Sequence, residues 1–280
     1  MLFKNSYWEM LLAAFVFSLV DILLKSLAST FPAAGIAFFR FLTGGLILGA
    51  IILGRGGSLR GGDLRMLLLR GISGTLAFFC LVKSVSMITL PNAIVLFYTA
   101  PLFVVPLSFL FLGERVRKTE LILIVIGFIG IYILINPASR AFNMGYVFAL
   151  LSGCIGAVAT VLVRKLRQTH GPLIIYFYFC LVGGIIAFPF FVREFAMPDL
   201  RQFLFLALMA LMLLIAQPLM NHAFKFCKAS EGSVILMAEL VFAGVAGVVL
   251  FREPVTVHLL AGGAMIVGSG VGLNLVNRKN

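Results

Sequence analysis

Charge is scarce in this chain. Of its 280 residues only 11% are Asp, Glu, Lys or Arg, against about a quarter in a soluble domain. Too little polar surface remains to coat a water-soluble particle, which excludes an ordinary globular enzyme. Acidic residues are scarcest, 10 against 22 basic ones. The net charge of +12 is no nucleic-acid signature, because a DNA binder gathers its basic residues on one water-facing surface. Here they sit in short clusters between apolar runs. Cysteine and histidine are sparse as well. Cys80, Cys154, Cys180 and Cys227 lie in or beside apolar segments without CxxC spacing, and read as small core residues rather than disulfides or metal ligands. His170, His222 and His258 are scattered, with no HExxH and no intramembrane Ser/His or Asp/Asp constellation, which argues against a membrane-embedded enzyme. No GxxxxGK[ST] occurs, so ATP is not the direct energy source. No cofactor or metal is expected.

What abounds is apolar sequence, 62% of the chain, with a mean hydropathy of +1.14. Segments of roughly 20 apolar residues recur throughout, each long enough to cross about 30 Å of hydrocarbon. Breaks at Gly, Pro and charge clusters divide the chain into ten spans, near 8–28, 33–53, 66–86, 92–112, 120–136, 144–163, 172–192, 203–224, 232–251 and 258–276. Lys4 before the first span and SLAS at 26–29 mimic a secretory signal, but Asp21 and Lys25 interrupt it, so a retained span is expected. Trp8 and Tyr7 read as interfacial anchors. Fourteen basic residues, from Lys4 through Arg55, Arg115, Arg164 and Lys225 to Lys279, fall at alternate loops. Arg140, Arg193, Arg201 and Arg252, with Lys25 and Lys83 at helix ends, mark the other side. The richer side is expected to be cytoplasmic, with both termini there, in the cell's inner membrane.

Sliding the sequence by 139 residues superimposes one half on the other. Lys25 meets Arg164, Phe38 meets Phe177, Gly44-Gly45 meets Gly183-Gly184, and Glu114-Arg115-Val116 meets Glu253-Pro254-Val255. The halves are expected at 1–139 and 140–280, five spans each. An odd number means that the second half enters from the opposite side, so the fold class is an all-α polytopic membrane protein of two inverted five-helix repeats.

LFLGERV and LFREPV, closing the fourth and ninth spans, resemble the drug/metabolite transporter superfamily, specifically its EamA-type members. YTAPLFVVPLSFLFLGE at 98–114 and MAELVFAGVAGVVLFRE at 237–253 are similar to the same family. The resemblance spans the whole chain. It implies a secondary transporter working by alternating access, exporting amino acids or other metabolites. It also implies a central cavity lined mainly by spans one, three, four, six, eight and nine. A lipid flippase, or a subunit of one, is the alternative that this fold permits.

Ionisable groups at membrane depth cost ~2.5–3.5 kcal/mol each on insertion scales, so each needs a partner or a purpose. Asp21 and Arg40 lie at the same depth, about 10 Å below one surface at about 1.5 Å of rise per residue. They stand either as an ion pair or as a substrate or proton site at Asp21. Glu239 and Gln217 lie level near the other surface, and their repeat-related positions are Ala100 and Phe78. That asymmetry points to substrate or coupling-ion binding; hydrogen bonding of a protonated Glu239 to Gln217 is the plainer reading. Tyr98, Thr99 and Phe78 are expected on the cavity wall. Lys83 either snorkels to water or guards the outer mouth. Glu114 and Glu253 end helices and are expected to hold loop amides or basic neighbours. Pro101, Pro106 and Pro218 offer bending points. Gly262, Gly263, Gly268, Gly270 and Gly272 permit close helix contact, within the chain or in a homodimer. A small-molecule substrate and the lipid bilayer are the other expected partners.

Overall fold

The structure, a computed structural model, describes residues 2–112, 118–135, 143–227 and 229–278. Its helices are α1 (Leu2–Ala28), α2 (Ala33–Gly54), α3 (Leu64–Met87), α4 (Leu90–Phe97), α5 (Ala100–Leu112), α6 (Lys118–Ile135), α7 (Met144–Leu166), α8 (Pro172–Arg193), α9 (Leu200–Ala223), α10 (Ala229–Leu236), α11 (Ala238–Phe251) and α12 (Val257–Arg278). No strand occurs among the described residues.

Polar residues at the helix starts set the boundaries. Asp63 Oδ1 accepts the Met66 amide ahead of α3, and Asn143 Oδ1 accepts that of Gly145 ahead of α7. Asp199 and Gln202 form a reciprocal capping box on α9, satisfying amides that a helix start leaves without partners. Six helices (α1, α2, α3, α7, α8 and α9) are long and apolar enough to span a membrane. α4–α5, α6, α10–α11 and α12 supply shorter apolar segments and complete ten spans. Exposed Leu46, Ile185, Leu204 and Val249 give the bundle its apolar exterior.

The fourth and ninth spans, expected as single helices, are each broken. α4 stops before Tyr98 and Thr99, and α10 stops before Met237. Tyr98 and Met237 are 139 residues apart, so the break belongs to the repeat. In the first half Pro101 lacks the amide that would bond the Phe97 carbonyl. The second half has Leu240 at the matching position, so proline is not the whole cause.

Packing obeys the same exchange of halves. α3 lies on α7 as α1 lies on α9, α5 contacts α7 as α11 contacts α1, and α2 meets α8 and α6 meets α12 across the symmetry axis. Small residues make these crossings possible. A Cβ on Gly183 would lie 2.6 Å from the Phe41 ring, and one on Gly262 would lie 2.6 Å from the Gly130 carbonyl oxygen. Gly262 and Gly272, which packs against Leu123, thus serve contacts within the chain.

Candidate functional site

The two halves enclose a mostly apolar cavity of about 170 Å³. Its walls come from α1, α3, the α4–α5 break, α7, α9 and the α10–α11 break, with Arg40 added from α2 and Phe179 from α8. Asp21, Arg40, Phe78, Tyr98, Gln217 and Glu239 all line it, although they come from six different helical segments.

The breaks put polar groups at the cavity wall. Tyr98 follows the last residue of α4, and its hydroxyl donates to Glu239 Oε2 at 2.5 Å. Glu239 sits in the first turn of α11, where free amides and the helix dipole favour a carboxylate. The Asp21 carboxyl lies beside Glu239, and its Oδ2 has no donor. Gln217 Oε1 is likewise buried without a donor. One wall therefore gathers acceptors: two carboxyls, an amide oxygen and a phenol already engaged.

The Asp21–Arg40 ion pair is not formed. Among the described residues the ion pairs are Lys25–Glu253 and His222–Glu9. Asp21 turns instead to Glu239, while the Arg40 guanidinium lies 3.8 Å from the centroid of Phe78. Beside it stands Arg70, 4.3 Å from the Phe179 centroid, a cavity residue that the sequence reading passed over. Its signal was a charge deeper inside the span than Arg65 or Lys83 at its two ends. Glu239 and Gln217 both reach the cavity, but the hydrogen bond to Glu239 comes from Tyr98 rather than Gln217.

The other expected residues are elsewhere. Thr99 is fully buried, and its hydroxyl donates to the Leu96 carbonyl at 2.7 Å, which leaves it off the cavity wall. Lys83 is exposed in a separate surface depression with Thr30, Phe79 and Glu194. Pro101 opens α5, and Pro218 lies inside an unbroken α9. Glu114 falls outside the described residues. Glu253 accepts the Leu90 amide at 3.0 Å and pairs with Lys25 Nζ at 3.1 Å, capping α4. Lys25 also donates to the Val85 and Ile88 carbonyls, tying α1, α3, α4 and α11 together at one end. At the other end Arg164, the repeat partner of Lys25, donates to the Phe224 and Lys225 carbonyls. Phe224 is the repeat partner of Val85.

Ten apolar spans in two inverted halves, with two broken helices meeting at a central cavity, define a membrane transporter of the inverted-repeat type. The EamA-like transporter family model matches residues 6–136 and again 143–275, and the chain belongs to that family. Over 275 residues it is 31% identical to the pseudopaline exporter CntI of Pseudomonas aeruginosa, covering 98% of this chain and 97% of that one. It is 23% identical over 251 residues to an S-adenosylmethionine uptake transporter of Rickettsia bellii, covering 88% and 85%. One solved crystal structure, 21% identical, superposes with a TM-score of 0.70 over 99% of this chain and 98% of that one, a likeness of fold. The family and the named relatives are transporters, not enzymes.

Proposed function

We propose that the chain is a secondary transporter that exports small organic solutes, amino acids or related metabolites, across the inner membrane by alternating access. The observation that carries this reading is the cavity shared by both halves, with Glu239, Asp21, Tyr98 and Gln217 on its wall. Helix breaks at Tyr98 and Met237 supply joints on both sides of it, so each half can bend without unfolding. The Lys25–Glu253 network and the Arg164 contacts lie at opposite ends, and opening one while the other holds exposes the cavity to one side at a time. Export follows the exporter relative that matches nearly the whole chain. The distribution of Lys and Arg favours cytoplasmic termini.

Binding is tested by thermal unfolding of the purified protein with panels of amino acids, amines, nucleosides and vitamins. One panel is expected to raise the unfolding temperature, and Glu239→Gln or Tyr98→Phe to abolish most of that rise. Each removes a charged or hydrogen-bonding partner whose loss weakens binding by about tenfold or more. Undiminished stabilisation in both variants would place the cargo elsewhere.

A further inference from the structure

The second wall of the cavity carries two cations with no anion. Arg40 and Arg70 are each about 95% buried, and neither forms an ion pair among the described residues. Arg40 Nε, Arg70 Nε and Arg70 Nη1 have no hydrogen-bond acceptor. A guanidinium keeps its charge in proteins, so these donors stand desolvated and unmet among mostly aromatic neighbours, with Tyr176 and Cys180 the polar groups nearby, an arrangement that native structures avoid unless it serves a purpose. Aromatic contact satisfies only part of the demand. Phe78 and Phe179 meet the guanidinium faces, whereas the unpaired N–H groups project from the edges. The local backbone makes room for this: a Cβ on Gly74, itself on the cavity wall, would lie 2.1 Å from Arg70 Nη1. Neither acid forms an ion pair with an arginine among the described residues: Glu239 accepts from Tyr98, and Asp21 lies beside Glu239, within electrostatic reach of Arg40 but out of ion-pair contact.

We infer that Arg40 and Arg70 form an anion subsite that binds a carboxylate of the cargo, opposite an amine held by Asp21 and Glu239. This rests on the transporter reading above and assigns the cargo's charge pattern. A carboxylate suits the arginine forks, whose parallel N–H groups match its two oxygens. A phosphate would bring a second negative charge into a small cavity that already holds two carboxyls. Donors on α2 and α3 and acceptors on α1, α9 and α11 thus orient a zwitterion across the space between the halves. Its body lies against Phe78, Phe97 and Phe179.

The test uses reconstituted proteoliposomes loaded with a defined mixture and with a small-metabolite extract of the host cell. The mixture holds amino acids, their decarboxylated amines, their deaminated acids and sugar phosphates, and released solutes are identified by mass spectrometry. Wild-type protein is expected to release solutes bearing both a carboxylate and an amine. Arg40→Gln and Arg70→Gln are expected to cut that release about tenfold or more. Gly74→Ala should act in the same direction by displacing Nη1, and Arg70→Lys should fall between. Thermal unfolding without solute separates binding from scaffolding. Neutralising an unpaired buried charge leaves stability unchanged or raised, whereas loss of a structural anchor lowers it. Release confined to amines or phosphates, or undiminished release by both Gln variants, overturns the subsite and leaves the transporter intact. A fall in unfolding temperature with the Gln variants makes the arginines structural and overturns it equally. No release by wild-type protein above protein-free liposomes removes the transporter reading and this inference with it.

Discussion

Lys25 reaches three acceptors at once: Glu253 Oε1, the Val85 carbonyl and the Ile88 carbonyl. Its side chain is 20% exposed and that of Glu253 10%, so solvent screens the pair only partly. Lys25→Met leaves a largely buried carboxylate with the Leu90 amide as its remaining partner, and Glu253→Gln leaves the ammonium on carbonyls alone. Each is expected to cost ~1–3 kcal/mol in unfolding, and the double variant less than the sum by ~1 kcal/mol or more. Strict additivity in a double-mutant cycle would mean that the contact contributes nothing. The match of Lys25 to Arg164 is plain in the sequence, but the task they share is not, because their acceptors are backbone carbonyls some 60 residues away. Glu239 was legible for the opposite reason: it breaks the repeat, standing where the first half has Ala100. Arg70 was not. It lies six residues inside α3, close enough to the basic loop to be passed over as a flank.

At the scale of the helix, span number and position follow from apolar run length, and the breaks do not. The stretches 96–102 and 235–241 carry polar residues, Tyr98 and Thr99 in one and Glu239 in the other, yet single polar residues also occur inside unbroken spans, and only the first stretch carries a proline. What shapes the break is a neighbour distant in sequence. A Cβ on Gly153 would lie 2.7 Å from the Phe97 carbonyl oxygen, 2.8 Å from Thr99 Oγ1 and 2.9 Å from the Leu96 carbonyl oxygen, so α7 presses its backbone against the interruption. The repeat-related residue is Ala14, fully buried on α1, which contacts α10 and α11. Gly153→Val is therefore expected to destabilise the protein by ~1–3 kcal/mol through overpacking. Gly268→Ala, where an added Cβ meets nothing within 4 Å, should stay within ~0.5 kcal/mol of wild type. Thermal or denaturant unfolding compares them directly, and equal effects would remove the special role of the α7 contact.

For the whole molecule, five spans per half force the two halves to face opposite ways, and the packing obeys that exchange from α1–α9 against α3–α7 to the self-paired α2–α8 and α6–α12. The orientation itself is carried by charge alone, through the concentration of Lys and Arg on one side. Lys118 and Val257 turn this into a measurement, because they are 139 residues apart, open α6 and α12 respectively, and are both exposed. In a variant whose four native cysteines are replaced, Lys118→Cys is expected to react with an impermeant thiol reagent only from the cytoplasmic side. Val257→Cys should react only from outside. Labelling of both from one side would require an even number of spans between them, and that would break the inverted relation on which a cavity shared by two opposed halves depends. Opposite labelling with the two sides exchanged would instead keep the architecture and reverse the orientation. In that case the Lys25–Glu253 end would face the cytoplasm, and the side from which cargo first enters the cavity would have to be reassigned.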